Sequence, residues 1–203
     1  MLKQRFIEVI SEYDSSAAET YWNEIETAYS SPGRYYHNQK HLRDLFAQLH
    51  HIPYEWNNFS AVILAIAYHD IVYDPLQNDN EEKSAILAKD RLLAIGASPD
   101  LTAQCLTHIM STKNHESSIN EDSNYFTDAD LSILGSAPET YKTYSQQIRQ
   151  EYSIYPDVIY NAGRVNVLKH FLSMPRIFKT NLFFDKYAAA AHINLQSELT
   201  SLS

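Results

Sequence analysis

Cysteine is almost absent. Cys105 is the only one in 203 residues, which excludes an intrachain disulfide framework and a cysteine-rich zinc site. Glycine (4) and proline (7) are also scarce, too few for the frequent tight turns of a β-rich chain. No alternating strand pattern persists beyond about four or five residues. Long hydrophobic runs are missing too, because the most apolar stretch, 59–68, falls well short of the roughly 20 residues a bilayer requires. The opening MLKQRFIEVISEYD is charged and amphipathic, unlike a secretory signal. Positive charge is in deficit: the net charge is −9, which argues against a broad nucleic-acid-binding surface. The expectation is a soluble, cytoplasmic protein with neither a membrane nor a nucleic acid polymer as partner. A small anionic substrate remains compatible, since a divalent cation and a few local Arg and Lys residues reverse the field inside one pocket.

What is present is helical periodicity. With 44% apolar residues, the length suits one good-sized domain. Apolar side chains at helical spacing predict helices over 2–13, from a cap at Ser15 or Ser16 to Tyr29, over 34–50, 81–95, from 98 to about 113, 128–134, 138–152, 156–172 and 185–199. Residues 116–123 read as a polar loop. The chain is expected to be a single all-α domain over 1–203, with a motif-bearing core at about 34–135 and C-terminal helices 138–199 packed on it.

The centre of that bundle is FSAVILAIAYHDIVYDP, 59 to 75. Ala61 to Ala67 is apolar on every side, so the helix, expected over 59–73, belongs inside the bundle. His69 and Asp70 then follow in the same run. An imidazole and a carboxylate buried together cost several kcal/mol unless compensated. A bound metal cation compensates them; so does a hydrogen-bonded His-Asp pair that only shapes the core. His37 and His41, four apart, are expected on one face of the third helix. His108 and His115, seven apart, are expected on one face of a later helix. Asp128 and Asp130 open a short helix, where aspartate commonly serves as a cap. His50, His51, His170 and His192 stand alone and read as surface or packing residues.

The order His, His-Asp, Asp on helices resembles the HD-domain superfamily of metal-dependent phosphohydrolases. The resemblance rests on RYYHNQKHL, AYHDIVYDP, DNEEKSA, STKNH and DADLSILG, from about Arg34 to Gly135, with weaker similarity in IRQEY, GRVNVLKHFL and IFKT. It implies an HD-type helical bundle. It also implies His37 as first metal ligand, His69 and Asp70 as the central pair, and Asp130 as the last ligand, with Asp128 the alternative or a carboxylate that orients a ligand histidine. His41 and His108 would stand behind the ligands.

Two imidazoles and two carboxylates suit one divalent transition metal, Mn²⁺, Fe²⁺, Co²⁺, Ni²⁺ or Zn²⁺, with Mg²⁺ also admissible. Such an ion polarises a phosphoryl oxygen and lowers the pKa of a bound water. Beside Asp70, the candidates for the catalytic proton are Glu81 and Asp74. Glu81 matches the glutamate of the family's NE-x-x-SA block, and it is equally a first-turn acid favoured by the helix dipole. For a phosphate substrate the candidates are Arg34, Lys113, His115, Arg149 and Arg164. The function expected is a metal-dependent phosphohydrolase for a small phosphorylated molecule, with nucleotides among the candidates. The alternatives are a non-catalytic nucleotide- or phosphate-sensing module, and a di-iron oxygenase on the same scaffold using His108 and His115 for a second metal.

Overall fold

Helix α4, Phe59–Tyr68, has every residue from Ala61 to Tyr68 buried. Its sequence offers no polar stripe for water, so it is stable only when surrounded. In a computed structural model describing residues 1–202, the surround is supplied by α1 (Leu2–Ser11), α3 (Gln39–Leu49), α5 (Asn80–Ala94) and α6 (Pro99–Ser111), each packed against α4. Helix α2 (Ala18–Tyr29) lies on α1. Helix α7 spans Glu121–Asp130. The remaining elements are a 3₁₀ turn at Leu131–Gly135 and helices α8 (Pro138–Glu151), α9 (Asp157–Ser173) and α10 (Asn181–Ser201). The described residues contain ten α-helices and no strand, and no helix among them is long and apolar enough to cross a membrane.

The chain divides into two compact units, Met1–Thr127 and Asp128–Ser203. In the first, α4 starts at a defined cap: Asn58 accepts the Ala61 N–H at 3.2 Å. The loop before it is pinned by the buried Asp122, which accepts the Tyr54 hydroxyl (2.7 Å) and the backbone N–H groups of Asn57 (3.2 Å) and Asn58 (2.9 Å). In the second unit, α10 packs on α9 and on the 3₁₀ turn, against which α8 also packs. Asn194 donates to the carbonyls of Leu134 and Ser136, both at 2.9 Å.

Several boundaries differ from the sequence expectation, among them the start of α10 at Asn181 rather than 185, and four of them bear on the candidate site residues. Helix α4 ends at Tyr68 rather than 73. Beyond it the backbone groups that a longer helix would pair are taken by side chains: the Asp70 N–H by the Tyr29 hydroxyl (3.1 Å), the Val72 N–H by Ser84 (3.1 Å), and the carbonyls of Asp70 and Ile71 by Arg34. Helix α3 starts at Gln39, so His37 lies in the preceding turn and not on a shared helix face with His41. Asn38 fixes this start by accepting the Lys40 N–H at 2.8 Å and donating to the Tyr35 carbonyl at 2.7 Å.

Helix α6 stops at Ser111. The hydroxyls of Ser111 and Thr112 bond the carbonyls of His108 and Ile109 (2.6 and 2.8 Å), and His115 adopts φ 52°. His108 and His115 therefore do not stack on one regular helix. Finally, α7 occupies part of the stretch expected to be loop; Asp128 and Asp130 lie in its last turn, and the short helix expected over 128–134 is a 3₁₀ turn, Leu131–Gly135, that Asp130 directly precedes.

Candidate metal centre

Two histidines and two aspartates reach this centre from helix ends. His41 sits in the first turn of α3 and is buried. Its position, one and four residues from Leu42 and Leu45, places it on the apolar side of that helix. His69 is the C-cap of α4, also buried, and Asp70 follows it. Asp130 is the last residue of α7, a helix that begins within the first unit. The C-terminal end of α4 carries partial negative charge from its peptide dipoles. Carboxylates placed there worsen the balance, and a cation relieves it.

The His69 ring reveals what kind of cation fits. Its Nδ1 lies 3.1 Å from the Ile66 carbonyl oxygen, which only accepts, so Nδ1 carries the proton. In the neutral ring Nε2 then presents a lone pair. That lone pair faces His41 Nε2 at 3.2 Å and Asp70 Oδ2 at 3.1 Å. Asp70 Oδ2 is also 4.0 Å from His41 Nε2 and 3.9 Å from His37 Nε2. Burial pushes the Asp70 carboxyl up, but protonation of the imidazoles beside it, His69 first and then His37 and His41, holds it well below the usual carboxylate range, a preference for positive charge that a cation meets without a proton on His69 Nε2. Ligand atoms of His41, His69 and Asp130 all lie within 4.8 Å of one another. This His/His/Asp group, its two histidines buried, is able to bind a divalent metal ion. Imidazole and carboxylate donors match the first-row divalent ions, and an imidazole fixed through its far nitrogen by a backbone carbonyl is the usual support for a metal-binding histidine.

The other residues singled out in the sequence are placed as follows. His37 is partly exposed and packs against Tyr73 in a tilted ring pair, with centroids 4.5 Å apart. Glu81 is half-buried in the first turn of α5; burial first, and then the Asp70 carboxylate, push its carboxyl above the ordinary range. Asp74 serves its own loop: its Oδ1 accepts the Leu76 N–H (2.9 Å), and its backbone exchanges bonds with the Asn80 amide. Lys113 pairs with Glu82. His108 is fully buried, its Nδ1 2.8 Å from the Ser123 hydroxyl.

Asp128 gives Oδ1 to the Lys179 N–H (2.8 Å) and Oδ2 to the N–H and hydroxyl of Thr180 (both 2.7 Å), so its partners are the cap of α10 and not a histidine. Arg149 bonds Asp157 and the carbonyls of Tyr152 and Tyr155. Arg164 forms a buried fork with Glu198 at 2.8 and 2.9 Å. These two arginines spend their donors within the second unit, where they hold helices and helix ends.

In the sequence, His41 takes only a supporting place, and neither Tyr29 nor Ser84 stands out as a site residue. The signal for His41 was available: it shares the buried stripe with Leu42, Leu45 and Phe46, which its neighbour four residues earlier cannot join once Asn38 caps the helix. Nothing in the local sequence marks Tyr29, because its contact with Asp70 spans 41 positions. Comparison with protein-family models, with curated proteins and with solved structures returns no match.

Proposed function

We propose that the chain is a metal-dependent phosphohydrolase acting on a small phosphorylated substrate. The reading is carried by one observation: the His69 Nε2 lone pair faces a second imidazole nitrogen and a carboxylate within 3.2 Å, an arrangement that a divalent cation satisfies. The motif blocks that resemble the HD superfamily supply the phosphoryl chemistry. In this proposal His41, His69, Asp70 and Asp130 hold the metal, and His37, partly exposed beside Asp70, faces the substrate. The metal would supply Lewis acidity toward a phosphoryl oxygen and an acidified water as nucleophile. Glu81, whose raised pKa favours the protonated form, holds the proton for the leaving oxygen. Lys113 exchanges its partner Glu82 for substrate phosphate.

A dinuclear oxygenase centre would need His108 and His115 turned inward together. The end of α6 at Ser111 and the Ser123 partner of His108 do not favour that. The test is elemental analysis of the purified chain beside a turnover screen of nucleotides and sugar phosphates with Mn²⁺, Mg²⁺, Co²⁺ and Ni²⁺. One ion per chain and metal-dependent phosphate release are expected. Tight metal and ligand binding with no turnover under any ion would replace the enzyme by a sensing module.

A further inference from the structure

Arg34 begins as a candidate for phosphate, yet its guanidinium is directed elsewhere. Nη1 donates to the carbonyls of His37 (3.1 Å) and Asp70 (2.7 Å), and Nη2 donates to the carbonyl of Ile71 (2.8 Å). Its central carbon also lies over two rings, 4.8 Å from the Tyr29 centroid and 5.3 Å from that of Tyr73. Tyr29 adds a bond of its own, its hydroxyl accepting the Asp70 N–H at 3.1 Å. Both backbone polar groups of Asp70 are thus held by side chains from α2 and the loop that follows it. Tyr73 in turn packs against the His37 ring.

These bonds fall on irregular backbone. Residues 69–73 follow the last turn of α4, so the carbonyls of Asp70 and Ile71 have no helical partner, and a partly buried carbonyl left unpaired is costly. Gly33, at φ 92°, makes the turn that delivers Arg34, a conformation a side-chain-bearing residue rarely adopts. A lysine cannot replace this arginine. One ammonium on a flexible stem does not present a planar fork to three carbonyls while facing two aromatic rings.

We infer that Arg34 and Tyr29 form a clamp on the backbone of Asp70, and that they are positioning residues for the metal ligands rather than contacts for substrate. The inference rests on the proposed metal site. The clamp sets the direction in which the Asp70 carboxylate and the adjoining His69 ring leave the chain, and it joins the His37 turn to the same frame. Its loss lowers metal affinity before any substrate is present.

The test uses the full chain and Co²⁺ alone, followed by titration and by the visible absorption of the bound ion, with melting temperature measured in chelator. Arg34→Ala and Arg34→Lys are expected to bind Co²⁺ about 10- to 100-fold more weakly, the usual loss when a ligand's support is removed, and with an altered spectrum. Low-millimolar guanidinium, but not ammonium, is expected to restore part of the affinity and the spectrum to Arg34→Ala. Should Arg34→Ala fail to fold, Tyr29→Phe removes only the hydroxyl and keeps the ring. It is expected to weaken Co²⁺ binding several-fold with little change in melting temperature in chelator. Wild-type affinity and spectrum in the folded variants would overturn the clamp while leaving the metal site standing. Failure of the wild-type chain itself to bind Co²⁺ would overturn both.

Discussion

His41 Nε2 and His69 Nε2 stand 3.2 Å apart in the buried interior, each ring approaching the other through the nitrogen farther from its own backbone. Two neutral imidazoles can share one proton across such a gap. Here, however, Asp70 Oδ2 lies 3.1 Å from the same His69 nitrogen, and the C-terminal end of α4 adds negative potential. The environment is built for positive charge, and a divalent ion supplies it with more donors engaged than a single proton can.

The first prediction concerns the ligand set. His41→Ala and His69→Ala should each lower metal affinity by at least on the order of 100-fold, more than loss of a supporting residue does. His37→Ala should keep the ion and raise KM for a phosphorylated substrate. Metal per chain after dialysis, followed by Co²⁺ titration, reads the difference. A His37→Ala chain stripped of metal, beside a His41→Ala chain that retains it, would return His37 to the inner ligand position.

The second concerns Glu81. If it protonates the leaving oxygen, Glu81→Gln should cut kcat on the order of 10²-fold while metal content stays unchanged. The loss should shrink for substrates whose leaving group is a good anion without protonation, such as a nitrophenolate. An equal loss for good and poor leaving groups would assign Glu81 to binding or to helix capping instead.

How much of this was visible in the chain before folding depends on how local the cause is. The unbroken apolar stretch Ala61 to Ala67 announces a central helix because hydropathy alone decides its burial, and α4 is indeed packed by four others. Helix α7 was hidden. Most of its buried residues, Asp122, Ser123, Asn124, Thr127 and Asp128, are polar, and Asp122, Ser123 and Asp128 find partners distant in sequence, so Phe126 and Ala129 alone make too little of an apolar stripe to betray it. The His-Asp pair was legible as a dipeptide. The direction of its side chains was not, because it depends on Arg34 and Tyr29, some 36 and 41 positions away from their Asp70 contacts. The shift of His37 out of α3 follows from Asn38, whose capping preference was readable but competed with an apolar pattern that continued past it.

The third prediction is one of pH. Burial pushes the His108 imidazole down to about 4 from its ordinary 6.5, with Asp122 pulling weakly the other way. The folded state thus disfavours the charged ring, and the unfolded chain binds the extra proton between those two values. Its contribution is fully present above about pH 6.5 and is lost as pH falls toward 4, worth roughly 3 kcal/mol over that window. His108→Asn, which keeps a polar group near Ser123 and cannot charge, should be less stable than wild type at pH 7 yet lose less on acidification. Denaturant midpoints at pH 7, 5.5 and 4.5 for both chains test this. Parallel curves would remove His108 from the acid response.

The fourth opposes two glycines. In α9, Gly163 lies mid-helix, and a Cβ there would meet nothing within 4 Å. Gly163→Ala should therefore stabilise the chain by about 0.5–1 kcal/mol, through the lower helix entropy cost of alanine. Gly135 ends the 3₁₀ turn against α10, and a Cβ there would come within 2.6 Å of both the Cβ and the carbonyl oxygen of Tyr187. The backbone of Gly135 is not left-handed, since the positive-φ glycines are Gly33 and Gly96, so its role is close approach rather than an unusual turn. Gly135→Ala should then destabilise by about 1–3 kcal/mol, the range for overpacking a filled contact. The obstacle is the Cβ and main chain of Tyr187, not its ring. Adding Tyr187→Ala to Gly135→Ala should consequently give no rescue, and the two losses should add or exceed their sum. Recovery of stability in the double variant would show that the ring, and not the backbone of α10, sets the limit at this contact.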